Sequence, residues 1–196
     1  MQEHQSELSA LFLGLNSDLQ QCKRNLKPDR TGFWDRTYVK CLFSLVEGIM
    51  FRMRQIILSA SSQGALKLEA SEITLLAEET YQLKKNGTIK KRESYLQFLP
   101  GVRLTVQMLG KAIGLEDYVI SAFSDNGWAA FQEAAKIRNR LTHPKNAKDL
   151  MVYEEELQQA KLAEQWFLSV ASTLVGRINE TGESLGAKPN AARSAP

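Results

Sequence analysis

The sequence is poor in the residues that build disulfide frameworks, metal sites and acid–base pairs. Its 196 residues include two cysteines and two histidines. Cys22 and Cys41 lack the spacing of metal ligands, so we expect two reduced core thiols in a cytoplasmic protein. No His, Cys or carboxylate cluster has ligand spacing, and no glycine-rich loop of the phosphate-cradling kind is present. The sequence therefore predicts neither a metal site nor another cofactor.

The sequence also has little excess of one charge over the other and no long apolar run. The formal net charge is only +3, so a surface for a polyanion would have to be a local patch. The first ten residues, MQEHQSELSA, lack the basic and apolar regions of a signal peptide. The longest apolar stretch contains Glu47, Arg52 and Arg54 and does not reach the roughly 20 apolar residues of a membrane span. We expect a soluble cytoplasmic protein that does not contact a membrane.

Apolar residues recur with the helical period through most of the chain. The strongest stripe predicts one long core helix over residues 34–60 and consists of Val39, Leu42, Phe43, Val46, Ile49, Met50, Met53, Ile56 and Ile57. Further helices are predicted over residues 8–26, 71–83, 95–99, 102–113, 127–142 and 149–179. No alternating strand pattern competes with them. The predicted fold class is an all-α bundle of about five to six helices, two of them long.

Local signals set the predicted boundaries of these helices. Ser71 is a candidate N-cap for the third helix, and Ser124 or Asp125 for the helix that begins near residue 127. Pro100 is expected to end the short helix before it. Residues 1–180 are predicted to form one domain. Residues 181–196 are small, polar and broken by Pro and Gly, so they are predicted to be a disordered C-terminal tail.

The helix over residues 127–142 carries a charge on its apolar face. On a helical wheel one face holds Trp128, Phe131, Ala135, Arg138 and Thr142. The opposite face holds Glu133, Lys136 and Arg140, which are interpreted as solvated residues. An unpaired charge among apolar residues costs on the order of several kcal/mol, so Arg138 needs an anionic partner. Glu47, on the flank of the long helix, is the predicted partner.

His143 follows this helix directly and precedes Pro144. A residue before proline is disfavoured in the helical region, so the helix is expected to end near Thr142. The break frees the imidazole to turn back towards Arg138, which makes one composite site geometrically possible. A purely structural role is the alternative. Cations in the last turn of a helix are favoured by the helix dipole, and a histidine beyond the end can cap carbonyls.

The segment Arg138-Asn139-Arg140-Leu141-Thr142-His143-Pro144 resembles the signature of the HEPN superfamily. In that signature an arginine is followed by a polar residue and then, four to six residues on, by a histidine. The arrangement is similar too, with the motif at the end of a late helix in a small helical bundle. In architecture the resemblance covers residues 5–180, but in sequence it is specific only over the motif.

The resemblance implies a function. Many HEPN proteins are metal-independent endoribonucleases, often toxins or defence effectors, that act as dimers with the two motifs facing each other. By position, Arg138 and His143 match the two fixed residues of the motif and Asn139 matches its polar residue. An antitoxin or a nucleotidyltransferase is a possible partner protein. Other HEPN proteins have lost catalysis and serve as binding or dimerisation modules, and that alternative stays open here.

The residue chemistry agrees with cleavage of RNA through its 2′-hydroxyl. Histidine can transfer protons near neutral pH, and arginine can fork onto phosphate oxygens. One chain offers a single plausible histidine, because His4 lies near the start of the sequence. A two-fold homodimer would supply a second His143. The face of Trp128, Phe131 and Ala135 is a candidate for that interface, with ordinary core packing as the other interpretation.

RNA would also need a basic docking surface. The residues predicted to form it surround an Asn86-Gly87 turn or follow the motif, and they are Lys84, Lys85, Lys90, Lys91, Arg92 and Lys145. Tyr81 and Tyr95 lie close in sequence and could stack on bases. A solvated charged loop is the simpler interpretation of the same residues.

Overall fold

The computed structural model describes residues 2–26 and 32–186. Helix α1 (Gln2–Arg24) precedes the long helix α2 (Phe33–Ser62) and the short helix α3 (Ala70–Leu76). An antiparallel hairpin follows, formed by β1 (Glu79–Leu83) and β2 (Ile89–Glu93). The chain then forms α4 (Phe98–Ile113), α5 (Glu116–Ala122) and α6 (Asn126–Thr142). A 3₁₀ turn (Ala147–Leu150) leads into α7 (Glu154–Gly186). The predicted helical bundle with two long helices is confirmed.

The centre of the bundle is α2, which packs against α1, α4, α6 and α7. Every residue of the apolar stripe predicted from the sequence, from Val39 to Ile57, is buried. Burial of one such side chain contributes about 1.5–3 kcal/mol. The stripe therefore explains why this helix forms and why four others surround it.

Aromatic side chains fill the space between α2, α4, α6 and α7. Phe131 is fully buried, and its ring centroid lies 5.7 Å from that of Phe43, 5.9 Å from that of Phe98 and 5.0 Å from that of Trp166. Trp128 stacks beside Phe131 at 5.5 Å. The face considered for a dimer interface is therefore core of the single chain, because these rings have partners on three other helices.

A buried polar cluster ties the first, second and last helices together. The Tyr38 hydroxyl donates to Glu164 Oε2 at 2.5 Å, and Lys23 Nζ donates to Glu164 Oε1 at 2.8 Å. Tyr38 and Glu164 are almost completely buried. Burial, together with the hydrogen bond to Glu164, raises the pKa of Tyr38 far above its ordinary value. Sequence patterning missed this cluster because its members lie far apart in the chain.

The segment after Leu76 corrects the predicted third helix and the prediction that strands are absent. Helix α3 begins at Ala70 with Glu69, not Ser71, as its N-cap, and ends at Leu76. Residues 79–83, predicted as helix, form a strand. Both faces of the hairpin are exposed apart from Glu79, so no buried face imposed an alternating pattern on its sequence. The local signal for it was the Asn86-Gly87 pair, which favours a tight turn, and Gly87 has a φ of +79°.

Several helix boundaries also differ from those predicted. Helix α4 begins at Phe98 and contains Pro100, since the amide of a residue in the first turn has no helical acceptor to lose. The short helix α5 was not predicted. The last helix begins at Glu154, because Asn146 and Asp149 cap the separate 3₁₀ turn before it. It runs to Gly186, beyond the predicted start of the tail at residue 181, and residues 187–196 lie outside the described residues.

Candidate nucleic-acid site

Arg138 lies just before the last turn of α6, at the rim of the aromatic core. One guanidinium nitrogen, Nη2, pairs with Glu47 of α2, and the other, Nη1, donates to Asn139 Oδ1 at 3.1 Å. The guanidinium carbon is 5.7 Å from the centroid of the Phe98 ring. The side chains of Arg138 and Glu47 are 26% and 46% exposed, so the ion pair predicted from the sequence lies at the surface. A ligand from solvent can therefore reach the guanidinium.

His143 occupies the C-cap of α6. Its amide donates to the Asn139 carbonyl at 3.1 Å, and its φ of −126° ends the helix before Pro144, as predicted. The residue is exposed, and its imidazole makes no hydrogen bond or ion pair with the described residues. Arg138, Asn139 and Glu47 form one side-chain network. His143 meets it through its backbone amide, while its imidazole makes no hydrogen bond or ion pair with these three residues.

Two surface depressions share the Arg138–Glu47 pair. The first, here called the α2–α6 groove, has a volume of about 320 Å³ and is lined by Lys40, Phe43, Ser44, Glu47, Arg138 and Thr142. The second, the hairpin groove, has a volume of about 400 Å³ and also includes Arg54, Glu78, Tyr95 and Phe98. The ion pair thus sits where the bundle surface meets the base of the hairpin. His143 lines neither depression.

The basic residues predicted to dock RNA lie mainly on the hairpin, where they are exposed. Lys84 and Lys85 belong to the turn, and β2 carries Lys90, Lys91 and Arg92. Side chains alternate along a strand, so Lys90 and Arg92 lie on the face opposite to that of Lys91. Lys145 is exposed after the motif, away from the hairpin in sequence.

Lys91 differs from its neighbours because it is paired. Its ammonium contacts the Glu79 carboxylate, and the Tyr81 hydroxyl donates to the same carboxylate at 2.9 Å. The hydrogen bond with Lys91, helped by that from Tyr81, lowers the pKa of Glu79, and the same contact raises the pKa of Lys91. Of the strand cations, Lys90 and Arg92 are therefore the better candidates for phosphate.

Arg140 is not the solvated residue that the wheel indicated. Its Nη2 donates to Glu156 Oε2 at 2.7 Å and to the Met151 carbonyl at 2.8 Å. These bonds fasten the end of α6 to the start of α7 and support the turn that carries His143. A wheel of one helix could not reveal this role, because both acceptors lie beyond the helix. Lys136, in contrast, makes an exposed pair with Glu133, as expected of a solvated face.

The two cysteines are not isolated in space. Cys22 Sγ lies 3.5 Å from Cys41 Sγ, and both are free thiols. Burial, with the neighbouring thiol, raises the pKa of Cys41 to about 12. Packing of α1 against α2 brings them together, which their sequence separation did not indicate.

The described residues offer neither a cluster of metal ligands nor a helix suited to the membrane. Residues 2–26 and 32–186 contain no group of three or more His, Cys, Asp or Glu side chains placed to hold a metal ion. In the same residues, no helix combines the length and apolar character needed to cross a membrane. Comparison with known proteins gave no family: no family model, no curated protein and no solved structure matches this chain.

Proposed function

We propose that the protein is a metal-independent endoribonuclease of HEPN type, a cytoplasmic toxin or defence effector that cleaves RNA as a homodimer. The observation that carries the proposal is the end of α6. There the guanidinium of Arg138 is reachable from solvent, and Pro144 ends the helix so that the exposed His143 imidazole is free of partners among the described residues. An anion binder and a proton-transfer group at one helix end are what phosphodiester cleavage requires.

In the proposed reaction the 2′-oxygen of a ribose attacks the adjacent phosphorus. A bond forms between that oxygen and phosphorus, and the bond from phosphorus to the 5′-oxygen of the next nucleotide breaks. One imidazole takes the proton from the 2′-hydroxyl, and a second group gives a proton to the leaving 5′-oxygen. Arg138 stabilises the charge that develops on the phosphoryl oxygens. The products are a 2′,3′-cyclic phosphate and a 5′-hydroxyl.

The homodimer is part of the proposal because one described chain supplies one histidine side chain at this site. The buried Trp128–Phe131 face does not serve as the contact. Exposed apolar residues beside the motif are better placed, namely Leu150, Met151 and Tyr153, with Phe33 at the start of α2. Arg36 of α2 donates to the Leu150 carbonyl at 3.2 Å, which brings the two segments together. A two-fold contact here would bring both copies of His143 near the axis.

The test is cleavage of RNA by the purified protein in excess EDTA. Arg138→Ala and His143→Ala are each expected to lower the cleavage rate by about 100-fold or more, because each removes a group acting in the transition state. Products of the unmodified protein should end in 2′,3′-cyclic phosphate. Lys136→Ala, on the solvated face of the same helix, is the matched control and should keep the original rate.

Two results would overturn the proposal. One is EDTA-resistant cleavage that survives both substitutions, which would indicate a contaminating nuclease or another site. The other is no cleavage by the unmodified protein. That second result would favour the alternative of a non-catalytic HEPN-like binding or dimerisation module. The Arg138–Glu47 ion pair supports this alternative, because Glu47 already supplies the guanidinium with an anionic partner. An antitoxin or nucleotidyltransferase partner is compatible with either function.

A further inference from the structure

The α2–α6 groove places unpaired hydrogen-bond donors beside Arg138. Lys40, Ser44 and Glu47 are exposed along one face of α2 at helical spacing, while their neighbours Val39 and Phe43 are buried. Across the groove α6 contributes Arg138 and Thr142, again four residues apart. Two helices that pack through the core therefore present polar side chains to each other at the surface.

The charges in the groove are not balanced internally. Among residues 2–26 and 32–186, no carboxylate forms an ion pair with Lys40, and the Ser44 hydroxyl makes no hydrogen bond. Glu47 is the acidic residue of the lining and is engaged with Arg138. The Thr142 hydroxyl donates to the Arg138 carbonyl at 2.8 Å, so its proton is already used. An anion entering the groove would therefore meet donors from Lys40, Ser44 and Arg138.

The floor of the groove strengthens such contacts. It is formed by Phe43, which is 1% exposed and packs on the aromatic core. Charge interactions beside an apolar wall are less screened than those in open water. Thr142 at the edge of the groove directly precedes His143 in the chain, but the imidazole itself does not line the groove.

We propose that Lys40, Ser44 and Arg138 form a subsite for a backbone phosphate of single-stranded RNA in the α2–α6 groove. The inference rests on the proposed function, which it extends by two residues that the motif does not contain. Lys40 supplies a point charge, Ser44 one hydroxyl donor, and Arg138 its fork of N–H groups. Thr142 shapes the edge and Glu47 holds Arg138 in place when no anion is present.

The subsite is tested by binding, separately from cleavage. A fluorescent 2′-O-methyl RNA oligonucleotide lacks the attacking hydroxyl, so its affinity can be measured by anisotropy over a range of salt concentrations. Lys40→Ala is expected to weaken binding about tenfold and to reduce the slope of log affinity against log salt by about 0.7, the value for one lost phosphate contact on a single strand. Ser44→Ala should weaken binding about threefold, as for one hydrogen bond.

Lys111→Ala is the matched control, since Lys111 is an exposed lysine at the end of α4 and outside the groove. It should leave affinity and salt slope unchanged. If Lys40→Ala behaves like Lys111→Ala in both measurements, the subsite is wrong, whatever the cleavage assay gives. If the oligonucleotide binds with the expected dependence on Lys40 and natural RNA is not cleaved, the subsite stands and the ribonuclease function falls.

Discussion

At the scale of single residues, the surface ion pair between Glu47 and Arg138 is expected to control how strongly the candidate site binds an anion. Glu47 is the nearest negative charge to the guanidinium that would bind phosphate, and it lines both depressions. A carboxylate there competes with a phosphate for the same nitrogen and repels it. The pair is partly exposed, so its contribution to folding is small, about 0–1 kcal/mol. Its effect on anion binding should exceed its effect on stability.

Glu47→Gln therefore has an expected outcome opposite to that of most site substitutions. The amide keeps an acceptor for Arg138 but removes the negative charge, so affinity for the 2′-O-methyl oligonucleotide should rise about threefold to tenfold at low salt. The measurement is the same anisotropy titration, with thermal unfolding to verify that stability is nearly unchanged. Glu133→Gln, which breaks the exposed pair with Lys136, is the control. Unchanged or weaker binding by Glu47→Gln would contradict this account.

At the scale of elements, the position of α6 depends on a close approach to α7. Gly127 is the second residue of α6, and its amide donates to the Asp125 cap at 2.9 Å. A Cβ at Gly127 would lie 2.7 Å from Trp166 Cβ and Cδ1. Trp166 cannot easily retreat, because its Nε1 donates to the Ala122 carbonyl at 2.9 Å and its ring packs on Phe131. This glycine therefore sets the distance between the motif helix and the last helix.

Gly127→Ala is accordingly expected to destabilise the protein by about 1–3 kcal/mol, the usual cost of overpacking. Gly176→Ala in α7 is the control, since a Cβ there meets nothing within 4 Å. It should be neutral or stabilise by about 0.5–1 kcal/mol, because alanine favours helix. Urea unfolding of both variants measures the difference. Equal midpoints for the two would show that the close approach does not constrain α6.

At the scale of the whole molecule, the Tyr38 hydroxyl and the Cys41 thiol make the free energy of unfolding depend on pH in the alkaline range. The folded state raises the pKa of Tyr38 far above its ordinary value and that of Cys41 to about 12. A raised pKa favours the protonated form in the fold. The corresponding stability is fully present below the unfolded values, about 9 for the thiol and 10 for the phenol, and is lost as the pH rises through the folded values.

The free energy of unfolding should therefore fall as the pH increases from about 9 towards 12. Tyr38→Phe removes one of the two groups and should flatten this decline, while costing about 1–2 kcal/mol at pH 7 through loss of the bond to Glu164. Tyr153→Phe, at an exposed tyrosine, should leave the profile unchanged. Urea unfolding at pH 7, 9 and 10.5 provides the comparison. Identical alkaline profiles for Tyr38→Phe and the unmodified protein would contradict the assigned role of Tyr38.

The sequence by itself determined the helical bundle, the buried stripe of α2 and the end of α6 before Pro144, because periodicity and proline stereochemistry act within one element. It also indicated that Arg138 needs a partner and identified Glu47, since an apolar helix face leaves few acceptable neighbours for a charge. The hairpin escaped prediction because neither strand has a buried face. Only the tertiary structure decided three other features: the Tyr38–Glu164–Lys23 cluster, the role of Arg140, and the groove of Lys40 and Ser44. Each depends on side chains from different helices, and their distances are set by how those helices pack rather than by any local pattern.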